Sequence, residues 1–315
     1  MKNICLVGCG AIARLHAKNL SPFAHLYFHS RSPQSADTFN RQFQGQGVMK
    51  SWADVIENTQ IDAVVITSPP EFHAQQIIGA LSAGKSVLVE KPMCISAAEV
   101  DSIEKALNNT AESVFLMVAE NYYYKPSLRQ IKELLSAEYL GEIKSVVVQK
   151  LSWQEASGWK RQYGALLEGG IHFVALISDI FDAVPARVEA EFTDKKEGGP
   201  ERFSKLRITY GNEKSAQLIY GWNRKTIGKG LFQRSRIVGE RGKIIFESNG
   251  IYVLIAAKSK TALYLPNWGD LMGYGAMTED FLRALGDKNP VPYSDFAKAK
   301  RDLGIVFAAY ERGGK

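Results

Sequence analysis

Three stretches of this chain carry side chains whose types and spacing suit chemistry: Gly8-Cys9-Gly10-Ala11-Ile12-Ala13, Glu90-Lys91-Pro92, and Glu168-Gly169-Gly170-Ile171-His172. The first reads Gly-x-Gly-x-x-Ala, and it lies between an apolar run, Ile4 to Val7, and a helical pattern. In that setting each small residue has a mechanical job. Gly8 permits a sharp turn, Gly10 lets a pyrophosphate approach the backbone, and Ala13 lets the helix sit close on the strand. The free N–H groups of Ala11 and Ile12, with the positive end of the helix dipole, then meet the anion. Strand before and helix after turn a bare glycine motif into a dinucleotide-binding fingerprint.

Glu90-Lys91-Pro92 follows the apolar run Val87 to Val89. A lysine directly after a buried strand is desolvated on one side, so its ammonium is able to donate to a substrate oxygen or to exchange a proton. Pro92 stiffens the exit. The competing interpretation is an exposed loop lysine. The third stretch lies on a single predicted helix, Ala165 to Phe181, which is apolar nearly all round and therefore buried. Glu168 and His172, four apart, are expected to share one helical face. Burying a carboxylate and an imidazole is costly unless they are paired or in use, although an ion pair of purely structural purpose satisfies the same rule. The two glycines between them weaken the helix by roughly 1 kcal/mol each relative to alanine. They point to close backbone approach.

Cofactor choice is read at the end of the second predicted strand, Leu26 to His29, where Ser30-Arg31-Ser32-Pro33 follows. An acidic residue about 20 residues after the fingerprint would hold the adenine ribose of NAD. A serine and an arginine stand there instead, so no carboxylate repels a 2′-phosphate and a five-donor guanidinium welcomes it. NADP is favoured over NAD. Stacking of Arg31 on adenine is the alternative, and it suits either cofactor. The strand Ile61 to Thr67 runs into Ser68-Pro69-Pro70 at the edge where ligands bind in such sheets, which makes Ser68 and Pro69 cofactor contacts. His73 opens the next helix and is expected to cap it or face solvent, with a cofactor contact as the alternative. Glu90, Lys91 and Asn121 lie at the ends of later strands and complete the cofactor set. Glu120 and Asn121 either face the nicotinamide and substrate or simply turn the chain.

The elements that position these groups fall into two patterns. Strands and helices alternate through Asn121, which predicts a doubly wound parallel sheet over residues 1–121. From Gly141 onward strands are separated by short turns: Ile143 to Leu151, Arg187 to Thr193, Phe203 to Tyr210, Ser215 to Trp222, Phe232 to Val238, Lys243 to Phe246 and Ile251 to Ile255. A second, mostly antiparallel α+β domain over residues 122–315 is expected. Helices around Tyr274 to Leu285 and Asp295 to Tyr310 end the chain, the last a candidate to pack back on the first domain.

Composition narrows the class. The 315 residues, 45% hydrophobic and 23% charged, suit a soluble chain of two domains. The longest apolar runs fall far short of the ~20 residues a membrane span requires, and the start is expected to be a core strand and not a signal peptide. Cys5, Cys9 and Cys94 show no metal spacing, so no metal site and a reducing cytoplasm are expected. The net charge of +6 is concentrated between Gly221 and Lys243, where Arg224, Lys225, Lys229, Arg234, Arg236, Arg241 and Lys243 face only Glu240. A solvated sheet face explains this, and attraction of an acidic substrate is the sharper alternative. No nucleic-acid-binding motif accompanies it.

Taken together the three stretches resemble the glucose-fructose oxidoreductase, inositol dehydrogenase and MocA family along essentially the whole chain. Ala83-Gly84-Lys85-Ser86-Val87-Leu88-Val89-Glu90-Lys91-Pro92 is similar to its most specific motif, and Val238-Gly239-Glu240-Arg241-Gly242-Lys243 to its late sheet turn. The resemblance implies an NAD(P)-dependent oxidoreductase of a sugar, polyol or related small molecule, assembled as a dimer or tetramer through its C-terminal sheet. It implies Lys91 as the catalytic lysine, His172 as the general acid/base, and Glu168 as an orienting or substrate-binding carboxylate where the family usually has Asp. The aspartate usual three residues beyond the histidine is Ala175 here, and Glu120-Asn121-Tyr122-Tyr123-Tyr124-Lys125-Pro126 replaces a common arginine-containing segment. Trp153, Trp159, Lys160 and Arg161 precede the helix and are candidates to line the pocket. An NAD-assisted glycosidase and a non-catalytic dinucleotide-binding sensor are the two alternatives.

Overall fold

The computed structural model describes residues 1–155, 161–194, 199–211, 214–226 and 230–313. It divides into two compact units, Met1–Glu120 with Tyr274–Lys300, and Asn121–Gly273 with Arg301–Lys315.

In the first unit the elements run β1 (Lys2–Val7), α1 (Ala11–Leu20), β2 (Ala24–His29), α2 (Pro33–Gln42), β3 (Gly47–Met49), α3 (Trp52–Glu57), β4 (Ala63–Ile66), α4 (His73–Ser82), β5 (Ser86–Glu90), α5 (Ala97–Asn108) and β6 (Leu116–Ala119). The strands form one parallel sheet in the order β3-β2-β1-β4-β5-β6. All four residues of β4, all five of β5 and all four of β6 are buried. That is why these segments read as unbroken apolar runs instead of alternating ones. Local chemistry sets the helix starts. Ser32 and Ser96 each accept a backbone N–H three residues on, and Ser51 with Asp54 makes a reciprocal capping box. The chain order reverses between β1 and β4, and a ligand crevice lies outside the carboxyl ends of strands at such a point. Residues Tyr274–Lys300 complete this unit. Phe281 meets the edge of Phe115 at 5.8 Å between centroids, and Ser294 O accepts Val118 N–H at 2.9 Å.

The second unit contains α6 (Pro126–Ser136), β7 (Ile143–Leu151), a π-helical turn (Leu166–Gly170), α7 (Ile171–Phe181), β8 (Arg187–Thr193), β9 (Phe203–Thr209), β10 (Ser215–Gly221), β11 (Arg234–Gly239), β12 (Gly242–Glu247), β13 (Val253–Ala257) and β14 (Lys260–Tyr264). Beyond it in the chain lie α8 (Tyr274–Gly286) and α9 (Phe296–Gly313), the latter with its Arg301 onward in this unit. The eight strands order as β14-β13-β12-β11-β7-β10-β9-β8, antiparallel except where β7 runs parallel to β10. One face is apolar and buried, including Val146, Val148, Leu206, Ile208, Leu218, Ile237, Ile244 and Ile255. Arg234, Arg236 and Lys243 are exposed on the other face. Within the basic stretch Arg224 pairs with Asp194 at 2.9 Å, and Lys229 lies outside the described residues.

Two elements escaped the sequence analysis. Helix α6 starts with Pro126 in its first turn, the position proline favours, and buries Leu128, Ile131 and Leu134. Strand β14 alternates half-buried and exposed residues at the sheet edge, so it has no apolar run to betray it. The predicted strand from Phe232 begins instead at Arg234. Phe232 itself has φ of 61°, outside the extended region.

Candidate active site

The turn after β1 separates the jobs of its two glycines. Gly8 has φ of 100°, and a Cβ built on it would lie 2.9 Å from Ser68 N and from Thr67 C. Glycine is required there by the protein's own packing. A Cβ on Gly10, by contrast, would meet nothing within 4 Å, and its φ of −98° suits any residue. Gly10 is the N-cap of α1 and offers no side-chain cap, so the first-turn N–H groups of Ala11, Ile12 and Ala13 keep their pull on an anion. The open space above Gly10 and this helix end fit a pyrophosphate. Cys9 plays a packing role: burial pushes its thiol up to about 12, which keeps it protonated at neutral pH.

At the end of β2, Ser30 Oγ accepts Ser32 N–H, and the Arg31 guanidinium lies 5.1 Å from the centroid of the Phe72 ring. Phe72 had no assigned role in the sequence. It steadies Arg31 by a cation–π contact at the carboxyl ends of β2 and β4. On the β4 side Ser68 Oγ donates to Gln76 Oε1, and Pro69 is extended.

His73 departs from expectation. It neither caps α4, whose N-cap is Phe72, nor faces solvent, being 1% exposed. Its Nδ1 lies 2.8 Å from Pro92 O and its Nε2 2.8 Å from Ser68 O. Burial lowers its pKa from the ordinary 6.5 and outweighs the two carbonyls, which favour the charged ring. The unfolded chain therefore takes up this proton first on acidification. Stability from this group is full above 6.5 and is lost as pH falls through 6.5 toward the folded value. In urea titrations across that range the parent protein is expected to lose more of its midpoint than His73→Asn, and equal losses would contradict this.

Glu90 closes β5 with its carboxylate turned inward, 2.8 Å from His16 Nε2, with both side chains buried. Its other oxygen accepts Lys91 N–H at 3.3 Å. His16 carried no functional assignment, yet it lies on the buried face of α1 with Ala13, Ala17 and Leu20, and a polar residue on such a face is a signal. Tyr274 meets the His16 ring edge-on at 6.0 Å, and its phenol pKa is raised by burial first and then by the charges of Glu90 and Glu120. Lys91, half-buried, leads into a cis bond to Pro92.

In the second unit the expected single helix is two kinds of helix. Leu166–Gly170 is a π turn and only Ile171–Phe181 is α-helical, so Glu168 and His172 are not one regular α-turn apart on a common stripe. The glycines answer to a protein side chain: a Cβ on Gly169 would collide with the Tyr220 hydroxyl, which accepts the Trp222 indole N–H at 3.1 Å. Glu168 is buried, and after burial its charge is the next cause holding the Tyr220 phenol protonated. Glu201 anchors the start of the turn, accepting Leu166 N–H and the Tyr310 hydroxyl at 2.9 Å each. His172 stacks on Tyr122, with centroids 4.6 Å apart and planes 17° from parallel, and Lys125 Nζ lies 4.2 Å from the same ring's centroid. The Asn121 side-chain amide donates to Met272 O at 2.7 Å, which ties down the backbone at Met272. Of the expected pocket residues, Trp153 and Arg161 are exposed, and Trp159 and Lys160 lie outside the described residues. Among the described residues no group of three or more His, Cys, Asp or Glu is arranged to hold a metal, and no helix is long and apolar enough to cross a membrane.

A parallel sheet of order 3-2-1-4-5-6 with a glycine turn at its first strand, joined in one chain to an open antiparallel sheet, defines the class as dinucleotide-binding Rossmann proteins with a second domain. The chain belongs to the glucose-fructose oxidoreductase, inositol dehydrogenase and MocA oxidoreductase family: the model of its NAD-binding Rossmann fold matches residues 2–119 and that of its C-terminal domain residues 128–245. It is 31% identical to glucose-6-phosphate 3-dehydrogenase of Bacillus subtilis (strain 168) over 58% of this chain and 55% of that enzyme. It is 26% identical to inositol 2-dehydrogenase of Rhizobium meliloti (strain 1021) over 77% of this chain and 74% of that one. The match thus spans only about half the length of the first of these relatives. Levoglucosan dehydrogenase, in a complex with NADH and levoglucosan, shares the fold with a TM-score of 0.87 and 20% identity, covering 99% of this chain and 97% of that one.

Proposed function

We propose that this protein transfers hydride between a nicotinamide dinucleotide and a hydroxyl- or carbonyl-bearing carbon of a sugar, polyol or related small molecule. The observation that carries the reading is the Gly8–Gly10 turn, open above Gly10 and backed by Ser68, in the same sheet whose strand β5 delivers Lys91. The chemistry a bound nicotinamide supplies is hydride exchange at its C4. In the oxidising direction the substrate C–H bond breaks with its electron pair, the O–H proton leaves, and a carbonyl forms. Lys91 donates to the substrate oxygen and stabilises its alkoxide character, and His172 takes the proton. Glu168 orients the substrate or His172. Ala11, Ile12, Ser30, Arg31, Ser68 and Pro69 serve the dinucleotide.

NADP is the preferred cofactor in this reading, supported by Ser30 and by Arg31 braced on Phe72 with no carboxylate at that position. Thermal-shift titration with NAD, NADH, NADP and NADPH tests it, because a ligand of the native state raises its stability. Arg31→Asp is expected to weaken NADPH by about ten- to a hundredfold, the worth of a charge-assisted hydrogen bond, and to spare NADH. Stabilisation by NAD(H) alone would overturn the preference. Association through the solvent face of the eight-stranded sheet and a cytoplasmic setting, in keeping with three free cysteines, complete the proposal.

A further inference from the structure

We propose that His16 and His73 are positioning residues that hold Lys91 from its two sides and couple it to the loops that seat the dinucleotide. The inference rests on the role proposed for Lys91. Both imidazoles are 1% exposed, so neither is a surface group with an incidental contact. His16 grips the residue before Lys91 through the Glu90 carboxylate, and His73 grips the residue after it through Pro92 O. Each also reaches back to the cofactor end of the sheet. His16 rides on α1, the helix whose first turn meets the pyrophosphate, and His73 Nε2 faces Ser68 O in the turn that backs Gly8.

The hydrogen-bond arrangement supports a fixed brace. His16 Nδ1 is buried with no hydrogen-bond partner in the structure, so the ring proton belongs on Nε2, directed at Glu90, and no N–H is stranded. The neutral His73 ring has a single N–H, which the brace assigns to Nδ1 and Pro92 O, and Nε2 then lies 2.8 Å from Ser68 O as a close contact and not as a second donated bond. Two stiff elements, α1 and α4, thereby hold the Glu90-Lys91-Pro92 turn, and a long lysine side chain launched from a braced backbone has fewer positions to search. Glu90 is the shared centre. It pairs with His16 and its charge also reaches His73.

Carbon-13 reductive methylation makes each lysine visible by NMR and keeps its charge, and the Lys91 signal is assigned by its loss in Lys91→Arg. The expected Lys91 signal stands apart from the exposed lysines in the parent protein. In His16→Leu and in His73→Leu it is expected to collapse onto the exposed-lysine position. It should stay native in His16→Gln and His73→Asn, whose amides replace the N–H groups facing Glu90 and Pro92. If His16→Leu does not fold because Glu90 loses its partner, His16→Leu combined with Glu90→Gln removes the buried charge and gives the same readout. A Lys91 signal unmoved in the folded leucine variants, or indistinguishable from exposed lysines in the parent, overturns the proposal. Turnover of Lys91→Met reports separately: undiminished turnover sinks the catalytic role of Lys91, whereas lost turnover with an unmoved NMR signal sinks only the brace.

Discussion

Gly10→Ala is expected to fold with the stability of the parent protein and to lose dinucleotide binding. Its Cβ would meet no protein atom within 4 Å and its φ is ordinary, so the native chain has no reason to object. The methyl group instead occupies the space through which a pyrophosphate reaches the helix end. Gly8→Ala is the opposite case. A side chain at φ of 100°, with its Cβ 2.9 Å from Ser68 N, is strained in both backbone and packing, and about 1–3 kcal/mol of stability should go with it. Thermal melts with and without NADPH separate the two: unchanged melting and no ligand shift for Gly10→Ala, lowered melting for Gly8→Ala. A Gly10→Ala protein with a full ligand shift would place the phosphates elsewhere.

The second large effect concerns Lys91 and His172, the residues proposed to polarise the substrate oxygen and to take its proton. Lys91→Met and His172→Asn are each expected to lower turnover by about 10²–10⁴-fold, the range for a lost acid/base or oxyanion partner. Affinity for NADPH should change little. Such a split marks an interaction made chiefly in the transition state. His172 has a second reason to be sensitive, because its ring plane is set by stacking on Tyr122. Tyr122→Leu should therefore lower turnover less than His172→Asn while leaving dinucleotide binding intact, and steady-state kinetics beside a binding titration check all three. Full turnover in Lys91→Met would remove that residue from the chemistry.

Much of the first sheet was legible because its physics is local. Buried parallel strands read as apolar runs, serines begin the helices, and Gly-x-Gly has a mechanical meaning once strand and helix flank it. The missed features depend on residues far apart in the chain. Gly169 is small because Tyr220 lies across it, and nothing near Gly169 in sequence announces that tyrosine. A π turn has no apolar period of its own, so Leu166–Gly170 read as ordinary helix. His73 looked like a cap because it begins a helix, whereas the two carbonyls that receive it come from the turns after β4 and β5. His16 shows the signal that was available: an imidazole among Ala13, Ala17 and Leu20 on a buried face needs a polar partner, and Glu90 is that partner. Likewise, no local pattern tells which sheet Tyr274–Lys300 joins, since that depends on contacts such as Phe115 with Phe281.

Hydride transfer is tested most directly by mixing the purified protein with NADP or NAD and a panel of sugars, glycosides, sugar phosphates and polyols, and following the absorbance of reduced nicotinamide alongside ketone formation. The expected result is repeated turnover, with reduced dinucleotide far exceeding the enzyme present and matched one for one by carbonyl product. A protein that binds the dinucleotide yet never forms more reduced cofactor than enzyme would contradict the account. Loss of a glycoside without net reduced cofactor would then identify a glycosidase that oxidises its substrate only transiently, and no consumption of any sugar would identify a sensor.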